Sequence, residues 1–397
     1  MPFCFTLSIL LLTLLSHGYG QYPQSPEPWQ SAYNISVKGF EFQHPMTCLN
    51  AEEVKIIKHR IQKGVEPQNT AFKDLIVQAH LALKFIPDVP ATLNIPGGYV
   101  DSEGLAKARS ILWDNSHAAY TCALAYTFTD SLKYADKAVS ILMSWANKGT
   151  IFTGEDSGLQ LGSYFTAMLY AADLLDGYEN WSAADRDKFK IWWKDECLLK
   201  GDVLGVMRRK DNNWKDAGLL GTFAASVLLE DTALLRESLI QLKSYYYPRT
   251  DENVRLPGES WKISNDQKGV YLPREVVRNK GRSGLTYTAY ALTTMVQCFE
   301  IARYAGHDFW NDTTAHGVRI VDVINQYYRW DVGEEVFPWN EDAKKTFKRR
   351  NHYEFANSRY QLNKGMVDFI HRNRPVEGRE GDAYATLNKG DMKGREK

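Results

Sequence analysis

The sequence carries no net charge: 48 Lys and Arg stand against 48 Asp and Glu over 397 residues. A neutral chain does not coat nucleic acid or an anionic membrane by bulk attraction, although a local basic groove is compatible with it. Cysteine is sparse, with five residues and no C-x-x-C spacing, so neither a zinc knuckle nor a thioredoxin-type site is supported. G-x-S-x-G, P-loop, H-E-x-x-H and G-x-G-x-x-G patterns are all missing. Their absence turns the argument away from the commonest hydrolases, nucleotide enzymes and metalloproteases. Alternating apolar and polar runs are scarce, which disfavours a sheet protein. The apolar stretch Phe5 to Leu15 is shorter than the roughly 20 residues a membrane span requires.

That stretch is followed by Ser16-His17 and the small-x-small triplet Gly18-Tyr19-Gly20. Residues 1–20 read as a secretory signal cut near Gly20–Gln21, with no Lys or Arg before the apolar core. The expected localisation is therefore extracellular, and sequons at Asn34, Asn180 and Asn311 agree with a secreted glycoprotein. Cys48, Cys122, Cys197 and Cys298 remain after cleavage and can pair in three ways.

Hydrophobic residues make up 44% and charged residues 24%, as in a folded chain. The length exceeds the roughly 250–300 residues at which one core stops growing, so the chain is either two domains or one domain of repeats around an opening. Helical periodicity settles the choice. Helices are expected at about 51–63, 71–83, 102–129, 131–145, 159–175, 182–199, 213–229, 232–246, 285–304, 309–328 and 352–371. A weak repeat turns at Asp130, Asp231 and Asp308, each ending one helix and starting the next. Repeated antiparallel hairpins give an open solenoid or a closed α/α toroid, and a ring explains how residues 21–373 form one all-α domain with a central cleft. Residues 374–397 read as a polar, mobile tail. The long irregular segment from Thr250 to Gly284 has the length of a functional loop.

The chemistry concentrates in a few places. Arg274, Arg278, Lys280 and Arg282 precede a helix whose first turns carry Tyr287 and Tyr290, three apart and so on one face. A phenol has a pKa near 10, and bringing it to about 7 takes roughly 4 kcal/mol, which a contacting arginine can supply. Arg plus Tyr is thus a pair able to abstract a carbon-bound proton, although on spacing alone a basic helix-entry loop with tyrosines in the core is the readier reading. Arg208-Arg-Lys-Asp-Asn212-Asn213-Trp214 leads into another helix. Its asparagines serve either as a cap or as amide donors to a carboxylate, with Trp214 stacking on a sugar. Gln160 with Tyr164, and Trp113 with His117, each share a helix face. Lys348-Arg349-Arg350 is either a solvated charge run or part of a basic groove.

Taken in order, Ala118-Ala-Tyr-Thr-Cys-Ala-Leu-Ala-Tyr, Asp130-Ser-Leu-Lys-Tyr-Ala, Asp211-Asn-Asn-Trp, Leu272-Pro-Arg-Glu, Arg278, Arg282 and Leu285-Thr-Tyr-Thr-Ala-Tyr290 resemble the alginate lyase superfamily of α/α toroids. The chain is similar to polysaccharide lyase family five and its relative, family thirty-eight, over about residues 102–328. The resemblance implies β-elimination of a uronic acid polymer, without a cofactor or metal, by a monomer whose partner is an anionic polysaccharide. It implies Tyr290 as catalytic acid, and in syn elimination also as base, with Arg282 beside it and Asn212 and Asn213 holding the carboxylate. The family-five pattern places His where Trp214 stands, which shifts the base to Tyr290 or to a histidine from another helix such as His117. Gln160, Tyr164, Trp214, Arg278, Tyr287 and Arg350 are the expected substrate contacts. Two other readings stand beside this one. A toroid glycoside hydrolase would need two cleft carboxylates about 5 to 9.5 Å apart, from Asp114, Asp156, Asp211, Asp216 or Glu275. A non-catalytic carbohydrate-binding protein would need neither.

Overall fold

The computed structural model describes residues 35–210, 212–245, 284–313, 319–337, 351–376 and 378–392. Helices α1 (Ala51–Gln62) and α2 (Gln68–Ala82) lead to a short strand, β1 (Thr92–Asn94). The hairpin α3 (Ser102–Thr129) and α4 (Leu132–Lys148) follows, and then β2 (Ile151–Thr153), which pairs parallel with β1, Leu93 opposite Phe152. Next come α5 (Ser157–Tyr164), α6 (Ala167–Leu174), α7 (Ala183–Trp192) with a π-helical continuation Trp193–Lys200, and α8 (Val203–Arg209). The remaining helices are α9 (Asn213–Leu228), α10 (Thr232–Lys243), α11 (Gly284–Tyr304), α12 (Ile320–Asp331), α13 (Asn351–Arg359), α14 (Lys364–Arg372) and α15 (Ala385–Lys389).

Local chemistry explains the boundaries. Asn50 accepts the Glu53 N–H at 2.9 Å to open α1, and Ser182 accepts that of Asp185 at 3.1 Å to open α7. The expected helix 159–175 is two helices instead. There the Thr166 hydroxyl donates to the Gly162 carbonyl at 2.7 Å and the Ser163 hydroxyl to that of Leu159, competing with the backbone ladder. The expected helix 352–371 also divides, because Asn363 accepts the Met366 N–H at 2.9 Å and starts α14 afresh. The three aspartate turns are not in one register. The left-handed residues are Asp130 (φ 58°), Glu230 (φ 52°) and Gly306 (φ 83°), so Asp231 instead follows its turn and caps α10.

Packing runs around a ring: α2 on α3, α3 on α6, α6 on α9, α9 on α11, α11 on α13, α13 on α15, and α15 back on α2. The inner helices α6, α9 and α13 are buried on nearly every face. The outer helix α4 buries one stripe, Tyr134, Ala138, Ile141, Leu142 and Trp145. This is the expected all-α toroid.

The end of the chain corrects one expectation. The described residues 374–376 and 378–392 are not a mobile tail; they close the ring. Lys389 is buried and its Nζ donates to Glu53 at 2.8 Å, Glu300 at 3.0 Å and the Tyr304 hydroxyl at 2.7 Å. Arg303 and Arg359 complete this ionic cluster on the same two carboxylates. Arg374 meets Glu354 at 2.7 Å and Asp391 at 2.7 Å, which holds the Asp391 carboxyl down at about 2 against the opposing effect of burial. A polar composition misleads here because the charges pair with one another inside the ring. The four cysteines are buried free thiols, so none of the three pairings forms; burial pushes the Cys122 thiol up to about 12. Among the described residues no helix is long and apolar enough to cross a membrane.

Candidate active site

The cleft is made by an unusually close approach of two helices. A Cβ on Gly162 of α5 would lie 2.5 Å from the Ala217 carbonyl oxygen of α9, and one on Gly221 would lie 2.9 Å from the Gly162 Cα. Only glycine lets these backbones touch. The contact sets the N-terminus of α9, with Asn212, Asn213 and Trp214, beside Gln160 and Tyr164 on α5. Helix α11 also packs on α9 and brings Thr286, Tyr287 and Tyr290 into the same cleft, whose volume is about 640 Å³. Tyr290 is 6% exposed and packs with Leu159, Ala217 and Trp214.

Asn212 reconciles the two meanings that its sequence position allowed. Its Oδ1 accepts the Trp214 N–H at 3.1 Å, so it is a cap, but the cap does not consume its amide NH2 donors. Those donors, Asn213 and the positive end of the α9 dipole together suit a carboxylate. Trp214 carries Lys210 Nζ 4.7 Å from its ring centre. On the opposite wall, Arg109 Nε donates to Gln160 Oε1 at 2.8 Å and its guanidinium lies 5.7 Å from the Tyr164 ring centre. The β1–β2 pair aligns the rim, where Gly97 and Gly98 face Glu155 and Asp156. Burial raises the Asp156 carboxyl above its ordinary value, opposed by the Gly98 N–H and by Arg109.

Seven of the expected substrate and catalytic residues, namely Gln160, Tyr164, Asn212, Asn213, Trp214, Tyr287 and Tyr290, line this one cleft. His117 does not. It is sandwiched between Trp113 at 4.6 Å and Tyr384 at 5.6 Å in a neighbouring cavity, where burial lowers its pKa to about 4. Arg278, Arg282 and Arg350 lie outside the described residues, as do Asp211 and Glu275. Among the described hydrolase candidates, Asp114 is exposed and accepts the Ser110 hydroxyl, Asp216 is buried and accepts the Tyr245 hydroxyl, and only Asp156 reaches the cleft.

Arg109 and Lys210 are cleft residues that the sequence reading did not single out as substrate contacts. A signal for the first was present, since Arg109, Trp113 and His117 recur every fourth residue on α3. The expected basic groove is not made by the described lining residues alone, where Arg109 and Lys210 are matched by Glu155 and Asp156. Among the described residues no three His, Cys, Asp or Glu side chains are grouped so as to hold a metal ion.

Among curated proteins, no sequence matches this chain. Solved structures do. A tyrosine-to-phenylalanine variant of alginate lyase A1-III complexed with a tetrasaccharide superimposes with a TM-score of 0.66 at 16% identity, over 89% of this chain and 98% of that one. The A1-III enzyme from Sphingomonas species A1 gives 0.65 at 15% identity, over 89% and 98%. An alginate lyase from Bacteroides ovatus gives 0.60 at 20% identity, over 87% and 98%. At these identities the likeness establishes the toroid fold. The family model "Alginate lyase" matches residues 86–337, more than half of the sequence and the whole span from β1 through α12. The chain belongs to the alginate lyase family and is a polysaccharide lyase.

Proposed function

We propose that this lyase cleaves a uronic acid polymer, alginate or a related glucuronan, by β-elimination, with Tyr290 as the proton-transfer residue and Asn212 and Asn213 on the uronate carboxylate. The observation that carries the reading is the convergence of α9 amides and the α11 tyrosine in one cleft, beside a wall of Gln160, Tyr164 and Arg109. The C5 proton of a uronate is only weakly acidic, because its removal places a second negative charge on the carboxylate group. Amide donors and a helix N-terminus aimed at that group stabilise the developing charge. The C5–H electrons form the C4=C5 bond, the C4–O bond breaks, and the leaving oxygen takes up a proton. A Tyr290 phenolate can accept the first proton and return it to the leaving oxygen, so atoms and charge balance without a second base. Trp214, standing where a histidine base would, serves as a stacking surface for a sugar. Arg282 enters on sequence alone as the cation that favours the phenolate, and Arg278 as a substrate contact. The signal reading of residues 1–20 places the enzyme outside the cell, where it is taken to act as a monomer on its polysaccharide, and Asn180 and Asn311 are both exposed as glycan acceptors must be.

The test is Tyr290→Phe, assayed against polymannuronate, polyguluronate and glucuronan by ultraviolet absorbance of the new C4=C5 bond. The expected result is a product signal from wild type on at least one uronan, abolished in the variant while substrate binding persists. Turnover near the wild-type rate in Tyr290→Phe would remove the proton-transfer role, and products lacking the double bond would indicate a hydrolase.

A further inference from the structure

Beside the cleft lies a second cavity of about 720 Å³, between the outward face of α2, helix α3 and the chain from Pro375 to Leu387. It adjoins the cleft in two ways. Thr286 of α11 lines both. On α3, Arg109 lines the cleft while Trp113 and His117, one and two turns further on, line the cavity. Each turn advances about 5.4 Å, close to the length of one pyranose unit.

The lining has the chemistry of a sugar site. Trp113, His117 and Tyr384 form a continuous stack, with interplanar angles of 18° and 10°, and the Trp113 indole is half-buried. Val77, 58% exposed on the α2 rim, extends the apolar wall. Arg379 and Gln78 supply exposed polar groups, and Asp74 is the acidic residue among the described lining. The buried His117 Nδ1 has no hydrogen-bond partner among the described residues. A pyranose ring presents an apolar C–H face to an aromatic stack and hydroxyls at its edge, and a uronate adds a carboxylate for an arginine.

We infer that this cavity is a distal subsite holding a further uronate residue of the polymer whose scissile bond lies at Tyr290, with Trp113 under the ring, Arg379 on the carboxylate and His117 on a hydroxyl. The inference rests on the uronan lyase reading above. It gives His117 a binding role in place of a catalytic one. Burial keeps the imidazole neutral near pH 7, so it bonds a hydroxyl as donor or acceptor and adds no charge.

The experiment measures kcat/KM on uronate oligosaccharides of increasing defined length for wild type, Trp113→Ala and Arg379→Glu. Wild type is expected to gain activity with length until the second cavity is filled, and both variants to lose about tenfold of that gain. Arg379 is exposed, so its variant stays folded even if loss of the Trp113 ring disturbs the stack. An unchanged length dependence in Arg379→Glu overturns the subsite while leaving the lyase reading intact. Wild type that yields no unsaturated product from any uronan removes the lyase reading, and the subsite with it.

Discussion

Replacing Glu300 with glutamine should destabilise the protein far more than removing its lysine partner, because of how charge is counted inside the ring. Three cations, Arg303, Arg359 and Lys389, face two carboxylates, Glu53 and Glu300, so the cluster carries 3 − 2 = +1. Glu300 is 1% exposed and accepts from Arg359 Nε at 2.8 Å, Arg303 at 3.1 Å, Lys389 at 3.0 Å and the Trp310 indole at 2.8 Å. Glu300→Gln leaves +2 in a buried site, and breaking a buried ionic network from one side costs about 3–5 kcal/mol. Lys389→Met leaves two cations on two carboxylates, so the loss is confined to charged hydrogen bonds, about 1.5–3 kcal/mol. The double variant should cost less than the sum, by a coupling of about 0.5–3 kcal/mol. Denaturant titration followed by circular dichroism reads all three. Equal costs for the two single variants, or strict additivity, would refute this account.

The same cluster sets an acid limit. Burial alone would push the Glu300 carboxyl up, but Arg359, Lys389 and Arg303 hold it well below the usual range, and Lys389 and Arg359 do the same for Glu53. The unfolded chain therefore binds these protons first as pH falls. The stabilisation is fully present above the ordinary glutamate value of about 4.3 and lost below it, towards the depressed folded values.

Three further outcomes are expected. Asn212→Asp should keep the α9 cap and thermal stability, since Asp caps as well as Asn, yet lose about 10²–10³ in turnover by facing the uronate with a carboxylate; a rate within threefold of wild type would remove Asn212 from the site. Gly162→Ala forces apart α5 and α9, with a cost of about 1–3 kcal/mol by denaturant titration and an accompanying loss of activity. Ending the chain at Asn373 deletes Arg374 and Lys389 along with α15, and should abolish cooperative unfolding; a truncated protein that still melts sharply would show that residues 374–392 do not close the ring.

Much of the fold was legible because helical period, caps and turns are local. Asn50, Ser182 and Asn212 each sit one residue before their helices, where a short polar side chain finds an unsatisfied N–H. The division of the 159–175 helix was not legible, since Thr166 and Ser163 look like ordinary helix residues until their hydroxyls are seen on backbone carbonyls. Nor was the tail: the charges of Arg374, Lys389 and Asp391 read as solvated when their partners are up to 336 residues away.

For the site, the sequence alone singled out the candidates: the asparagines at the start of α9, the α11 tyrosine and the Gln160–Tyr164 face. Each is a short-range pattern with a direct chemical meaning. Tertiary structure decided which of them meet. The glycine contact between α5 and α9 joins Asn212, Asn213 and Tyr290 to Gln160, whereas the same α3 stripe that delivers Arg109 to the cleft carries His117 two turns past it. A spacing fixes the face of a helix, but only packing against other helices fixes how far along that face the substrate lies.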